Sequence, residues 1–263
     1  MIRVMSFNLR TASADDGANN WVHRRELAIE RIRAFDPDLA GVQELHASRQ
    51  APDLRAALPD YHLLGVARGG PGDAAGEMAG VLVRSAVFEV LSERHFWLSE
   101  TPEVPASRSW GSAYVRTAAF IHLRRRSDGF ELLFANTHLD YTPRACREGA
   151  RCLRRQLDGL PAGLPVVLSG DFNASRRSGA YRDLLAPASP RPLVDALRAR
   201  PGGRPRGGEG TFHAFGKLPL PQAIDWVLAS PRFAVRDAGI DRAARPPLYP
   251  SDHYPLWVIL DED

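Results

Sequence analysis

The 263-residue sequence is poor in cysteine and poorer in lysine, with two of the first and only Lys217 of the second. Cys146 and Cys152 fall in one predicted helix, separated by about 9 Å of axial rise. A disulfide needs Cα atoms within about 7 Å, so a bridge between them is excluded and reduced thiols are expected, as in a cytosolic protein. No run approaches the roughly 18 apolar residues of a transmembrane helix. The opening Met1-Ile2-Arg3-Val4-Met5-Ser6-Phe7 reads straight into a strand and lacks the basic, apolar and small-residue regions of a signal peptide. A cytoplasmic protein without a membrane partner is therefore expected. No internal repeat is visible, which sets repeat architectures aside. Arginine takes the place of lysine, yet the formal net charge is only +3. A GC-rich genome explains that bias better than an anionic partner does, so charge adds only minor support for a phosphate-bearing substrate.

What the sequence does have is the balance of an ordinary globular protein, with 44% apolar and 25% charged residues. The length suits one large domain, 1–263, expected to be a monomer. Alternating or continuous apolar patterns predict strands at 3–9, 39–42, 114–123, 131–137, 165–169, 224–229, 234–239 and 256–260, with several more between 61 and 98. Asp128-Gly129 marks a hairpin turn between two of them. Helical patterns occur near 24–35, 51–58 and 180–185. Another helix starts at Thr142-Pro143, read as an N-cap followed by proline in the first turn, and carries Cys146, Ala150, Leu153 and Leu157 on one face. The Gly/Pro/Arg-rich stretch 200–210 is expected to be a mobile loop. Many strands with a few helices predict an α/β sandwich of two mainly antiparallel sheets.

Polar clusters sit at or just beyond the ends of apolar strands: Asn8, Gln43-Glu44, Asn136-Thr137-His138-Leu139-Asp140, Gly170-Asp171-Phe172-Asn173, Asp225 and Ser251-Asp252-His253. Cleaving a phosphate ester needs hard oxygen ligands for a cation, a group that positions water and donors for the charge on phosphoryl oxygens. Glu44 suits the first task and Asp171 the second, with Asn173 two positions on fixing the carboxylate if the chain stays extended. His138 and His253 suit the third, provided a carboxylate orients each ring: Asp225 for His253, Glu77 for His138. Each has a bland alternative. Taken alone, Glu44 reads more readily as a solvated strand-end charge and a lone histidine as a structural residue, while 170–173 reads equally as a turn.

Taken in order, the segments around Asn8, Glu44, His138, Asp171 with Asn173, Asp225 and Asp252-His253 resemble the signature motifs of the DNase I-like endonuclease/exonuclease/phosphatase superfamily, and span residues 5 to 256. The resemblance implies a four-layer α/β/β/α sandwich with one or two Mg²⁺ or Mn²⁺ ions near Asn8, Glu44 and Asp252. It implies that His138 and His253 contact the scissile phosphate, that Glu77 orients His138, and that Arg116 touches phosphate, although Arg116 also reads as an ordinary strand residue. The segments 96–102 and 211–215 are similar to a bacterial branch related to deadenylase and nocturnin-type domains, and suggest His213 and Trp110 as pocket residues. Relatives often have Arg before the Ile-Asp segment, where this chain has Gln222-Ala223.

The expected function is metal-dependent hydrolysis of a phosphate ester by in-line attack of water positioned by Asp171. The substrate is a phosphorylated small molecule or a nucleic acid. The rival is a non-catalytic phosphate-binding module, whose mark would be loss of a metal ligand or catalytic histidine. None is lost.

Overall fold

The computed structural model describes residues 1–202 and 208–262, so the centre of the expected mobile loop, 203–207, lies outside the described residues. The chain begins with β1 (Ile2–Asn8), α1 (Trp21–Phe35), β2 (Leu39–His46), α2 (Gln50–Ala57), β3 (Tyr61–Leu64) and β4 (Glu77–Arg84). It continues through β5 (Phe88–Trp97), β6 (Thr117–Arg125), β7 (Glu131–His138), α3 (Pro143–Asp158), β8 (Val166–Asp171) and α4 (Gly179–Leu184). The last part contains β9 (Val194–Asp195), α5 (Ala196–Ala199), β10 (Asp225–Ala229), β11 (Phe233–Ile240) and β12 (Leu256–Glu262).

Two six-stranded sheets result, in the orders β11-β12-β1-β2-β4-β3 and β5-β6-β7-β8-β10-β9. Both are mixed: β1 with β2 and β7 with β8 run parallel, and the other neighbours are antiparallel. Strand alternation builds three apolar layers. Val4, Leu39, Val81, Phe134, Val167 and Val227 fill the space between the sheets. Met5, Phe7 and Ala40, one position out of phase, face the opposite way and pack with Ile29 and Ile32 of α1 and Leu54 of α2. Leu133, Leu168 and Trp226 pack with Cys146, Leu153 and Leu157 of α3. The architecture is thus α/β/β/α. Both cysteines are buried and unbridged in α3.

The inter-sheet space changes character toward one end. On the inward phase, β1 runs Val4, Ser6, Asn8 and β8 runs Val167, Ser169, Asp171, all buried. Here the sheets are tied by amides: Gln43 Nε2 donates to Asn136 Oδ1 at 2.7 Å, and Asn136 Nδ2 donates to the carbonyls of Val42 and Gly80. Ser169 Oγ donates into the same group. Gly41 is required beside them, since a Cβ there would collide with Ser169 Oγ and the Asn136 side chain.

Two local expectations change. Thr142 occupies the N-cap of α3, but its hydroxyl donates to Asp140 Oδ1 instead of capping the helix. The strand expected from 114 begins at Thr117, because the segment before it is held by Asp140 through Ser112 and the Tyr114 amide.

Candidate active site

Beyond the amide ties, the strand ends open into a cavity of about 610 Å³. β2 does not stop at Glu44. It carries one more residue than β4 opposes between Val42 and Leu45, a bulge in which Glu44 adopts a φ of 55°. The bulge takes Glu44 out of the ladder and onto the cavity wall. Its Oε1 accepts from Asn8 Nδ2 at 3.1 Å and its Oε2 from the Thr11 amide at 3.0 Å. Burial alone would raise the Glu44 pKa, but these hydrogen bonds and the charges of His253 and Arg10 bring it below the usual carboxylate value.

Strand register assembles the catalytic candidates. Asp171 of β8 lies opposite Asp225 on β10 and beside His138 on β7. His253, just before β12, places Nδ1 2.9 Å from Asp225 Oδ2 and Nε2 3.6 Å from Asp171 Oδ2. Burial disfavours the charge on His253, yet Asp225 and Asp171 outweigh it and hold the pKa well above the usual imidazole value. The two carboxylates thus favour the charged form of this ring. Asp171 is pushed up to about 7 by burial and the Asp225 charge, opposed by His253 and by hydrogen bonds from the Asn173 amide and Asn8. His138 is pushed the other way, well below the usual value, by burial and by the positive charges of Arg116, His253 and Arg68. The expected carboxylate partner is absent: Arg116 stands behind the His138 ring, and its charge together with burial disfavours the protonated form.

Glu77 lines the cavity, but its carboxylate pairs with Arg68 at 3.0 Å while the His138 nitrogens face Arg116 and Asn173. Glu77 therefore does not orient His138. Asn8 is fully buried behind the wall; Nδ2 donates to Glu44 and to Asp171 Oδ2 at 2.9 Å, and Oδ1 accepts from the Arg10 amide. The amide is used to orient two carboxylates. Asp171 and Asn173 both reach the cavity, though by a different route from extended geometry: Asn173 has a φ of 47° and Nδ2 donates to the Leu139 carbonyl.

His213 and Trp110 do not line the cavity. His213 is buried against Tyr254 and Tyr249, accepts from the Gly216 amide through Nδ1, and is pushed down to about 4 by burial and nearby positive charge. Trp110 packs against the apolar layer beneath α3. Their neighbours in sequence, Phe212 and Tyr114, take the positions expected of them, together with Arg10, Arg68 and Tyr141. Arg10 and Tyr141 each immediately follow or end a motif, which was the available signal; Arg68 lies in a glycine-rich loop and had none.

Asp171, Asp225 and His253 bring one donor atom each within 4.8 Å of one another, close enough to share a metal. His253 already hydrogen-bonds Asp225 and lies against Asp171. The hard oxygens left over belong to Glu44 and Asp252. Burial raises the Asp252 pKa, and the Glu44 charge raises it further, against His253 and Arg10. Crowded carboxylate oxygens on an open wall fit a hard divalent cation.

A four-layer sandwich with this set of strand-end acids, amides and imidazoles defines a phosphoesterase of the DNase I-like fold. The sequence matches the Endonuclease/Exonuclease/phosphatase family over residues 5–253, and the chain belongs to that family. Among solved structures, the Bacteroides thetaiotaomicron mannosyl-6-phosphatase Bt3783 is 31% identical with a TM-score of 0.86, over 99% of this chain and 100% of that one. The human Nocturnin catalytic domain with bound sulfate, 19% identical at a TM-score of 0.76 over 100% of this chain and 94% of that one, shares the fold. An uncharacterized protein, L388, of Acanthamoeba polyphaga mimivirus is 27% identical over 167 residues, 58% of this chain and 59% of that protein. No helix among the described residues is long and apolar enough to cross a membrane.

Proposed function

We propose that the protein hydrolyses the phosphate ester of a small molecule, using a Mg²⁺ or Mn²⁺ ion held by Glu44 and Asp252. The observation that carries this reading is the convergence of Asp171, His253 and His138 on one cavity whose wall also presents the Glu44 and Asp252 oxygens. Its volume of about 610 Å³ suits a small ligand. The likeness to a mannosyl-6-phosphatase at 31% identity supports a phosphomonoester.

Asp171 positions the attacking water and accepts its proton, a task suited to a carboxylate titrating near neutral pH. The water oxygen bonds to phosphorus in line with the departing ester oxygen. His253 donates through Nε2 to a phosphoryl oxygen as an imidazolium braced by Asp225, and His138 donates as a neutral ring. Asn173 holds Asp171 Oδ1 through its amide at 2.9 Å. A divalent ion, when bound, neutralises the charge on the phosphoryl and leaving oxygens.

A second reading, cleavage of nucleic acid, draws on a second hollow of about 420 Å³ that shares Tyr141 and Asn173 with the cavity and is lined by Arg147 and Arg182. One experiment separates the two. Phosphate or nucleotide release is followed from hexose phosphates, nucleotides, bis-p-nitrophenyl phosphate, single-stranded DNA and RNA, with Mg²⁺ or Mn²⁺ and with EDTA. Turnover of small esters, lost in EDTA and in Asp171→Asn, is expected. Cleavage confined to nucleic acid, with affinity falling steeply in salt, favours the second reading. Silence on every substrate sinks both and leaves a binding module.

A further inference from the structure

The cavity lining has two chemistries: a floor of buried acids and imidazoles, and a less buried set with Tyr114, Tyr141, Phe212 and Leu220. Tyr114 and Tyr141 are 46% and 56% exposed and meet edge to face, with ring centroids 6.0 Å apart. Large aromatic side chains left in water beside a polar cavity mark a contact surface.

These rings are not on loose loops. Asp140, only 2% exposed, accepts from Ser112 Oγ at 2.9 Å and the Tyr114 amide at 3.0 Å through Oδ2. Through Oδ1 it accepts from the Thr142 amide at 2.8 Å and the Thr142 hydroxyl at 2.7 Å. One buried carboxylate thus fixes the backbone at Tyr114 and on the far side of Tyr141. Arg68 and Arg116 place their guanidinium carbons 5.1 and 5.2 Å from the Tyr114 ring centroid, bracing it. The Arg116 Nε also lies 3.8 Å from Asp140 Oδ2, so the same carboxylate adjoins the arginine behind His138. The sequence places Asp140 at the end of the Asn136-to-Asp140 cluster, and hydrolysis itself gives it no task.

We propose that Tyr141, braced by Tyr114, is the platform on which a ring in the substrate's leaving group stacks, and that Asp140 is the residue positioning this platform over the catalytic floor. The inference rests on the reading of this cavity as a phosphoesterase site and specifies its substrate class: phosphate esters whose alcohol carries a flat-faced ring. A pyranose C–H face and a nucleobase share that chemistry. An acyclic alcohol leaves the tyrosine wall uncovered.

The test compares dissociation constants of a hexose 6-phosphate, a nucleoside 5′-monophosphate and glycerol 3-phosphate by calorimetry in EDTA, alongside turnover of the same esters with Mg²⁺. At least one ring ester should bind about tenfold more tightly than glycerol 3-phosphate, the scale of one stacking contact. Which one does so identifies the ring as sugar or base. In Tyr141→Ala the ratio should fall to about one, and Tyr141→Phe should keep it, since the ring supplies the contact. Asp140→Asn puts amide hydrogens against donors; its ratio should fall while Tyr141→Phe, with Asp140 intact, retains it. A ratio near one in the unmodified protein, or one unchanged in Tyr141→Ala, overturns the platform. A folded Asp140→Asn protein with the full ratio overturns the positioning role. Ring preference without turnover would defeat the hydrolytic reading and leave the platform standing; turnover without ring preference would do the reverse.

Discussion

Arg116 Nη1 lies 3.0 Å from His138 Nδ1, and because guanidinium only donates, that nitrogen must accept. With Nδ1 accepting, the ring proton falls on Nε2, which lies 3.5 Å from Asp171 Oδ2 and 2.9 Å from Asn173 Nδ2, itself a donor to the Leu139 carbonyl. One buried arginine thus favours the tautomer that faces the Asp171 carboxylate, against the Asn173 amide. Arg116→Met should lower kcat about 10²-fold, the scale of a misplaced proton donor, with a smaller change in KM. Arg116→Lys should recover little, because the planar fork is lost. Steady-state kinetics with Mg²⁺ check both, and a methionine variant within twofold of the parent would remove His138 from the mechanism.

The carboxylates of Glu44 and Asp252 give a binding prediction independent of turnover. Saturating Mg²⁺ or Mn²⁺ at about 100 times its Kd should stabilise the fold by about 2.7 kcal/mol, enough to raise Tm by about 5 °C or more. Glu44→Gln and Asp252→Asn should each abolish most of that rise. Thermal unfolding with and without metal is the measurement; equal shifts in parent and variants would place the ion elsewhere.

Arg24 in α1 is fully buried and donates to the carbonyls of Leu9, Arg10, Asn19 and Pro250. Burial lowers its pKa to about 10, so it remains charged at neutral pH. It joins the loop after β1 to the loop that carries Asp252. Arg24→Met leaves those carbonyls without their donor and should cost about 3–5 kcal/mol, read from urea unfolding. A loss below about 1 kcal/mol would show that water replaces the guanidinium.

The thiols should be inert in the native protein. Burial pushes Cys146 up to about 12, with Asp140 and Asp171 adding to the shift, and burial raises Cys152 as well. A thiol deprotonates only as pH rises toward its pKa, so at pH 8 the reactive thiolate of Cys146 is rare. Reaction with a disulfide reagent should be negligible in buffer and should reach two equivalents per chain in denaturant. Rapid native labelling would mean that α3 opens readily.

The strand-end motifs were legible because a strand has a period of two, and Ser169-Gly170-Asp171 follows an apolar stretch in phase with it. The α/β/β/α layer order is what the family resemblance implies, and the phase of β1 and β8 agrees with it. What could not be read depended on partners distant in sequence. The Glu44 bulge exists because β4 opposes β2 with one residue fewer, which nothing near Glu44 encodes. Chemical type and the family resemblance both point Glu77 at His138, but Arg68, nine positions away across a loop, reaches it instead. Asn173 kept its place in the site by leaving the extended conformation that the spacing assumed. In the segments containing Trp110 and His213, aromatic content signalled a wall without telling which ring faces inward.

Gln43, Asn136 and the Ser169 hydroxyl form one hydrogen-bonded group. It spans both sheets directly beneath the acids, so the floor behaves as one rigid casting, and a change there disturbs both halves at once. The tyrosine-bearing segments and the stretch around Phe212 enter from the perimeter and take no part in that lock. Substitutions along that perimeter can therefore alter what the cavity admits without touching the lock beneath the acids.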